Sequence, residues 1–214
     1  MARMQVSLDT IESGAQAWLL QPESGRRMTR EEYRSFVDAN PELRVEMTAQ
    51  GEVIVMPPAH TRTGYQNGEI FRQVSNWALA DGRGVAFDSS TGYDLPNGAN
   101  RAPDVSWVLK SRIAELTPEE RFDYYPLCPD FVIELRSKSD RLSTLQDKMR
   151  EYLSIGARLG WLVDPKERTV HIYRADAPPE ILTEPATISG DPELPGLIVD
   201  LAAVWNPESH MLAG

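Results

Sequence analysis

The stretch Phe131-Val132-Ile133-Glu134-Leu135-Arg136 decides the fold of this 214-residue chain. A short, nearly continuous apolar run is typical of a strand that is buried on both faces of a sheet. A helical stripe of apolar side chains follows from Leu142 to Leu153, and Trp161-Leu162-Val163 forms a second apolar run. A strand, a helix and a second strand in this order predict a right-handed crossover between two parallel strands.

The segments on either side of this unit add further strands and helices. Residues 44–48 and 52–56 flank the turn Ala49-Gln50-Gly51 and predict a β-hairpin. A long helical pattern begins at residue 61, and residues 103–109 predict another strand. Hairpins near both ends indicate antiparallel edges. The sequence therefore predicts an α/β fold with a central mixed β-sheet flanked by helices.

This pattern extends over residues 29–206, which we interpret as one domain. We expect an N-terminal arm over residues 1–28, as an extended segment or short strand, and a C-terminal tail over residues 207–214. No apolar run approaches the roughly 20 residues that a membrane span needs. The single cysteine, Cys128, excludes an intrachain disulfide and a cysteine-based zinc site, and it favours the reducing cytoplasm.

The formal net charge of −10 lowers the expectation of nucleic-acid binding, since such proteins neutralise phosphates with Lys and Arg. Total charge does not fix the charge of a site, however. A bound Mg²⁺ reverses the sign of the potential around a cluster of carboxylates. The acidity therefore does not exclude a nucleic acid as partner.

Two carboxylates are the main candidate functional residues. Glu134 lies within the apolar run, where an uncompensated charge is unfavourable, so it needs a cation. Asp104 begins the neighbouring candidate strand. Oxygen atoms from two such strand ends are ligands that Mg²⁺ prefers. The pattern is consistent with a divalent metal held between Asp104 and Glu134.

An ion pair without a metal explains the same residues equally well. Strand alternation places Arg136 on the same face as Glu134. Lys148 lies near the edge of the helical stripe, so its side chain can extend past the core toward Glu134. A Glu134–Arg136 or Glu134–Lys148 pair therefore remains an alternative to a metal site.

An ordered set of motifs across residues 29–205 resembles the Uma-type endonucleases, a family of the PD-(D/E)XK nuclease superfamily. The motifs are Arg44-x-Glu46, Pro57-Pro58, His60, Pro103-Asp104, Glu134-x-Arg136, Asp147-Lys148, Tyr152, Gly156 and Trp161-Leu162-Val163-Asp164-Pro165. The resemblance implies the restriction-endonuclease-like fold and hydrolysis of phosphodiester bonds, with DNA as the expected substrate and Mg²⁺ or Mn²⁺ as cofactor.

The same resemblance implies roles for particular residues. Asp104 and Glu134 would be the metal ligands, Glu46 a further acidic member of the site, and His60 its neighbour. The superfamily carries a lysine two residues after the glutamate, where this chain has Arg136. Arginine cannot act as a base. The family pattern instead gives the position of that lysine to Lys148, with Arg136 contacting phosphate or bracing Glu134.

Two functions follow. One is a metal-dependent nuclease that uses Asp104, Glu134, Lys148, Glu46 and Arg136. The other is a catalytically silent binding or interaction module with the same fold, in which Arg136 neutralises Glu134. We also expect self-association, because closed two-fold dimers are the commonest oligomers, with Trp18, Trp205 and the N-terminal arm as interface elements.

Overall fold

The computed structural model describes residues 6–10, 18–22 and 27–212, the first two ranges by their backbone. The rest of the expected N-terminal arm, and residues 213–214 of the expected tail, lie outside the described residues. The helices of the described residues are α1 (Arg30–Ala39), α2 (Thr61–Asp81), α3 (Lys110–Glu115), α4 (Pro118–Arg121), α5 (Leu142–Ser154), α6 (Ala202–Trp205) and α7 (Pro207–Leu212). Among them, none is long and apolar enough to cross a bilayer.

A mixed sheet of six strands, which we call the main sheet, forms the centre of the molecule. Its strands in chain order are β5 (Gly84–Asp88), β8 (Val105–Leu109), β9 (Phe131–Leu135), β10 (Leu159–Asp164), β11 (Thr169–Arg174) and β12 (Glu180–Thr183). Their order across the sheet is β12-β11-β10-β9-β8-β5. Only the β9–β10 pair is parallel, and α5 connects these two strands. The predicted parallel pairing of these two strands and the mixed sheet are both confirmed.

A second six-stranded sheet holds the first hairpin, which we expected at an edge of the main sheet. Its strands are β1 (Val6–Thr10), β2 (Trp18–Pro22), β3 (Arg44–Met47), β4 (Val53–Met56), β6 (Tyr93–Asp94) and β7 (Asn100–Arg101). Their order across the sheet is β1-β2-β4-β3-β7-β6. The placement at the main sheet was wrong, because β2 pairs with β4 and β7 pairs with β3. The hairpin also packs in a core of its own, against Met28 and Tyr33.

A short third sheet pairs β13 (Thr187–Ser189) with β14 (Ile198–Asp200). The helix α6 follows it, and Trp205 at its end is buried and donates a hydrogen bond from Nε1 to the Pro185 carbonyl at 2.8 Å. Trp205 is therefore part of the fold rather than an exposed interface element. The side chain of Trp18 lies outside the described residues.

The two faces of the main sheet contribute to different hydrophobic cores. On β9, Phe131, Ile133 and Leu135 face a core shared with α2 and α6. Val132 faces the opposite core, together with Met149 and Tyr152 of α5. Because side chains alternate along a strand, Glu134 shares the face of Val132. The fold thus directs this carboxylate toward α5.

Candidate active site

Asp104 and Glu134 meet at the ends of two adjacent strands. The antiparallel register pairs Val105 of β8 with Ile133 of β9, and one further position places Asp104 opposite Glu134. The Asp104 Oδ2 atom accepts a hydrogen bond of 2.8 Å from the backbone N–H of Leu135. The structure therefore brings the two carboxylates that the sequence singled out to one edge of the main sheet.

Lys148 of α5 lies between two glutamates. Its Nζ is 2.8 Å from Glu134 Oε1 and 2.8 Å from Glu46 Oε1. Only 12% of the lysine side chain is exposed, and both glutamates are buried. Lys148 thus joins the main sheet to β3 of the second sheet through charged contacts. The expectation that its side chain reaches the strand of Glu134 is confirmed.

Glu46 has a full set of donors. In addition to Lys148, its Oε2 is 3.1 Å from Arg101 Nη1, and its Oε1 accepts a 3.0 Å bond from the Ala102 backbone. Arg101 Nη2 is in turn 2.7 Å from Glu151 Oε2. Burial acts to raise the pKa of Glu46, but Lys148 and Arg101 outweigh it and lower the pKa. Glu46 is therefore an ionised carboxylate at neutral pH.

Glu134 is less well compensated than Glu46. Its Oε1 accepts a 3.1 Å hydrogen bond from the Tyr152 hydroxyl and contacts Lys148. Its Oε2 accepts no hydrogen bond from any residue that the structure describes. Burial raises the pKa of Glu134 to about 7, with Asp104 and Glu46 contributing and Lys148 opposing. The free oxygen and the raised pKa mark this carboxylate as short of positive charge.

Asp104 resembles Glu134 in having few donors. Burial raises its pKa, while the Leu135 N–H, Lys148 and Arg44 oppose the rise. Its Oδ1 receives one long bond, 3.4 Å, from Nδ2 of Asn67 on α2. The pKa of Lys148 itself is raised by Glu134 and Glu46 in spite of its burial. In this geometry the lysine therefore keeps its proton and acts as a cation.

The oxygen donors fit a hydrated divalent cation. Over the described ranges, no group of three or more His, Cys, Asp or Glu side chains is arranged to hold a metal ion. Mg²⁺ commonly takes only one or two protein carboxylates and keeps several waters. Asp104 and Glu134, each with an oxygen short of donors, match that requirement. These two side chains are the ones that would hold such an ion.

Arg136 makes contacts other than those expected. Its Nη1 is 2.6 Å from Asp164 Oδ2, and its Nε donates to the Asp140 carbonyl at 3.2 Å. The expectation that it braces or neutralises Glu134 was wrong, because the guanidinium pairs with Asp164 at the end of the neighbouring strand β10 instead. Of the two ion pairs that the sequence offered for Glu134, the geometry supports the one with Lys148.

A cleft of about 890 Å³ opens beside the cluster, between the β3–β4 hairpin and α5. Glu46, Lys148, Arg101 and Glu151 contribute to its lining. Its charged lining side chains include both acidic and basic groups, so it is not a uniformly basic groove. Its basic lining side chains include Lys148 and Arg101, both of which are paired with Glu46.

Comparison with known proteins identifies the family to which this chain belongs. Residues 30–202 match the family model described as "Uma2: Putative restriction endonuclease". The chain belongs to this family. Its fold is similar to a crystal structure described as that of a putative nuclease of the family DUF820 from Anabaena variabilis, with a TM-score of 0.71 and 21% identity over 84% of this chain and 98% of that one. No curated protein gives a significant match.

Membership of the Uma2 family confirms the resemblance that the motifs indicated, and the match in fold confirms the predicted nuclease architecture. The role of each site residue stays a prediction. Four of them, Glu46, Asp104, Glu134 and Lys148, lie together. His60 is exposed at the start of α2 and forms no side-chain cap there. Cys128 is buried, which raises its pKa to about 12 and excludes a reactive thiolate.

Sequence reasoning missed two polar side chains of this region. Arg101 follows the Asn97-Gly98 turn with no apolar pattern around it, so no local signal marked it as buried. Asn67 had a signal: it is one helical turn before Ile70 and continues the apolar stripe of α2 toward its N-terminus. A polar residue at a core-facing position of a helix would have identified Asn67 as a candidate site residue.

Proposed function

We propose that this protein is a divalent-metal-dependent nuclease that hydrolyses phosphodiester bonds of DNA. The observation that carries the proposal is the meeting of Asp104 and Glu134 at adjacent strand ends, with the Lys148 ammonium 2.8 Å from Glu134. A carboxylate pair beside a fixed cation is suited to a phosphate group. Membership of a restriction endonuclease family supports this choice.

In this proposal, Asp104 and Glu134 hold Mg²⁺ or Mn²⁺ through their oxygens. When bound, the ion supplies Lewis-acid chemistry toward the phosphodiester and the attacking water. Lys148 stays protonated and stabilises negative charge that develops on the phosphate. Glu46 orients Lys148 through the 2.8 Å contact, and Arg101 keeps Glu46 ionised. Arg136 is fixed by Asp164 and contacts the nucleic-acid backbone from the loop after β9.

The substrate assignment takes account of the acidic chain. With a formal net charge of −10, nonspecific attraction to phosphates is weak. The bound cation and the buried cations of the cleft would then provide the local positive potential. We further propose that two copies associate and present two sites to one duplex, which sedimentation at micromolar concentration will test.

The alternative is a catalytically silent binding module with this fold. The observation that favours it is the position of Lys148, which already supplies positive charge to Glu46 and Glu134. The net charge and the arginine at position 136 point the same way. A measurement of Mg²⁺ and Mn²⁺ binding to the purified protein separates the two functions.

A nuclease assay tests the proposal directly. Wild-type protein and Asp104→Asn are incubated with single- and double-stranded DNA and RNA, with Mg²⁺, Mn²⁺ or EDTA. We expect DNA cleavage only in wild type with metal. Metal binding without cleavage of any of these nucleic acids would instead support the silent module.

A further inference from the structure

Asn67 carries a buried polar atom without a partner. It lies in the second turn of α2, and its Nδ2 donates to Asp104 Oδ1 at 3.4 Å. Its Oδ1 is buried and accepts no hydrogen bond from any part of the chain that the structure describes. An amide oxygen in this position is unusual, because nearly all buried polar groups have a partner.

The contact with Asp104 favours the observed orientation of the Asn67 amide. If the amide were turned over, its oxygen would face the Asp104 carboxylate, and two acceptors would oppose each other. The orphaned atom is therefore the oxygen, and it needs a cation or a donor. Gln66, the neighbouring amide on this helix, differs, since its nitrogen donates to the Val204 carbonyl at 2.6 Å.

The position of Asn67 on the helix is also unusual for a polar side chain. Ile70, Val74 and Ala78 follow it at helical spacing and are buried against the main sheet. An apolar residue would fit this stripe, yet an amide occupies it where the helix passes Asp104. Because both amide atoms are attached to one carbon, Oδ1 lies within a few ångströms of the Asp104 carboxylate.

We propose that Asn67 supplies, through Oδ1, a third oxygen ligand to the divalent cation held by Asp104 and Glu134. This inference rests on the proposed function and deepens it. A neutral amide oxygen is a hard ligand that Mg²⁺ and Mn²⁺ accept. It adds a ligand without adding negative charge to a cluster that already holds the carboxylates of Asp104, Glu134 and Glu46.

The test uses the full chain with Mn²⁺ as the probe, and it compares two changes at position 67. Asn67→Leu removes the oxygen at similar volume, so we expect Mn²⁺ affinity to fall about tenfold or more. The Tm in EDTA should stay level or rise, since an unsatisfied oxygen is lost. Asn67→Asp should do the opposite: it lowers the Tm in EDTA through repulsion with Asp104 and strengthens Mn²⁺ binding.

Asn76, an exposed residue of the same helix, provides the matched controls. Asn76→Leu and Asn76→Asp should leave Mn²⁺ affinity, measured by titration calorimetry, at the wild-type value. Wild-type affinity in both Asn67 variants would overturn the ligand assignment while the nuclease proposal stands. A wild-type protein that binds no Mn²⁺ at millimolar concentration would overturn both. If Asn67→Leu does not fold, the opposite shifts expected for Asn67→Asp still decide.

Discussion

Replacing Glu134 with glutamine should stabilise the metal-free protein at alkaline pH. Glu134 is buried against Tyr152 and shares Lys148 with Glu46, so its ionised form is only partly compensated. Glutamine has nearly the same shape and resembles the protonated acid. The exchange therefore removes an unfavourable charge and leaves Lys148 with Glu46 as its partner.

The size and pH dependence of this effect follow from the pKa of Glu134, which rises from 4.5 to about 7 on folding. Below pH 4.5 the carboxyl is protonated in both states, and the variant gains nothing. Between pH 4.5 and about pH 7 the unfolded chain releases the proton while the folded chain keeps it, so wild-type stability falls as pH rises. At about 1.4 kcal/mol per pH unit, the loss reaches about 3 kcal/mol above pH 7. Because the variant does not lose this stability, its Tm should be about 6–12 °C higher than that of wild type for a chain of this length.

Glu46→Gln is the matched control, because it makes the same chemical change beside the same lysine. The pKa of Glu46 is lowered by Lys148 and Arg101, which outweigh its burial. Its ionised form therefore stabilises the fold above the unfolded pKa, and that contribution is lost as pH falls through the folded pKa. Removing one partner of a buried ion pair costs roughly 3–5 kcal/mol. Glu46→Gln should thus destabilise the protein at the pH where Glu134→Gln stabilises it.

The assay is urea unfolding followed by tryptophan fluorescence, in EDTA, over a pH series from about 5 to about 8.5. We expect the Glu134→Gln curve to separate from wild type as pH rises and the Glu46→Gln curve to lie below it. The reasoning is refuted if Glu134→Gln is no more stable than wild type at the alkaline end.

Three further substitutions test the proposed roles. Asp104→Asn should abolish the Tm rise that millimolar Mg²⁺ or Mn²⁺ produces, since a neutral amide is a poorer ligand; an unchanged rise would remove Asp104 from the site. Lys148→Ala should keep metal binding and lose DNA cleavage by about a hundredfold or more, and full cleavage would exclude its proposed role. Arg136→Lys should retain or gain DNA cleavage. Its free energy of unfolding should fall by about 1–2 kcal/mol, because lysine cannot contact both Asp164 and the Asp140 carbonyl as the guanidinium does. An inactive variant that is as stable as wild type would contradict both expectations.

The centre of the fold was predictable because its signals are local. The apolar run of β9, the helical stripe of α5 and the run of β10 each identify their own element, and the short connections leave one handedness for the crossover. The register that places Asp104 opposite Glu134 then follows from pairing of neighbouring strands. The candidate site was predictable to the extent that its residues lie on these elements.

The second sheet was not predictable on the same grounds. Its strand β7 consists of Asn100 and Arg101, two polar residues with no alternation to identify. It pairs with β6 and, through Asn100, with Met47 of β3, which is distant in the sequence. Arg101 is thereby brought to Glu46, and that contact depends on long-range pairing. Arg136 was misplaced for a related reason, since its partner Asp164 lies on the neighbouring strand β10, and alternation along β9 does not identify it.

The metal site and the ion pair, which the sequence left as alternatives, are compatible in this geometry. Lys148 binds Oε1 of Glu134, and the donors that surround Glu46 are sufficient to lower its pKa. At Glu134 and Asp104, by contrast, burial outweighs the opposing effect of Lys148, and the pKa of each carboxyl is raised. These two groups therefore remain short of positive charge after Lys148 is counted. The remaining deficit lies at the two strand ends where the nuclease proposal places its cation.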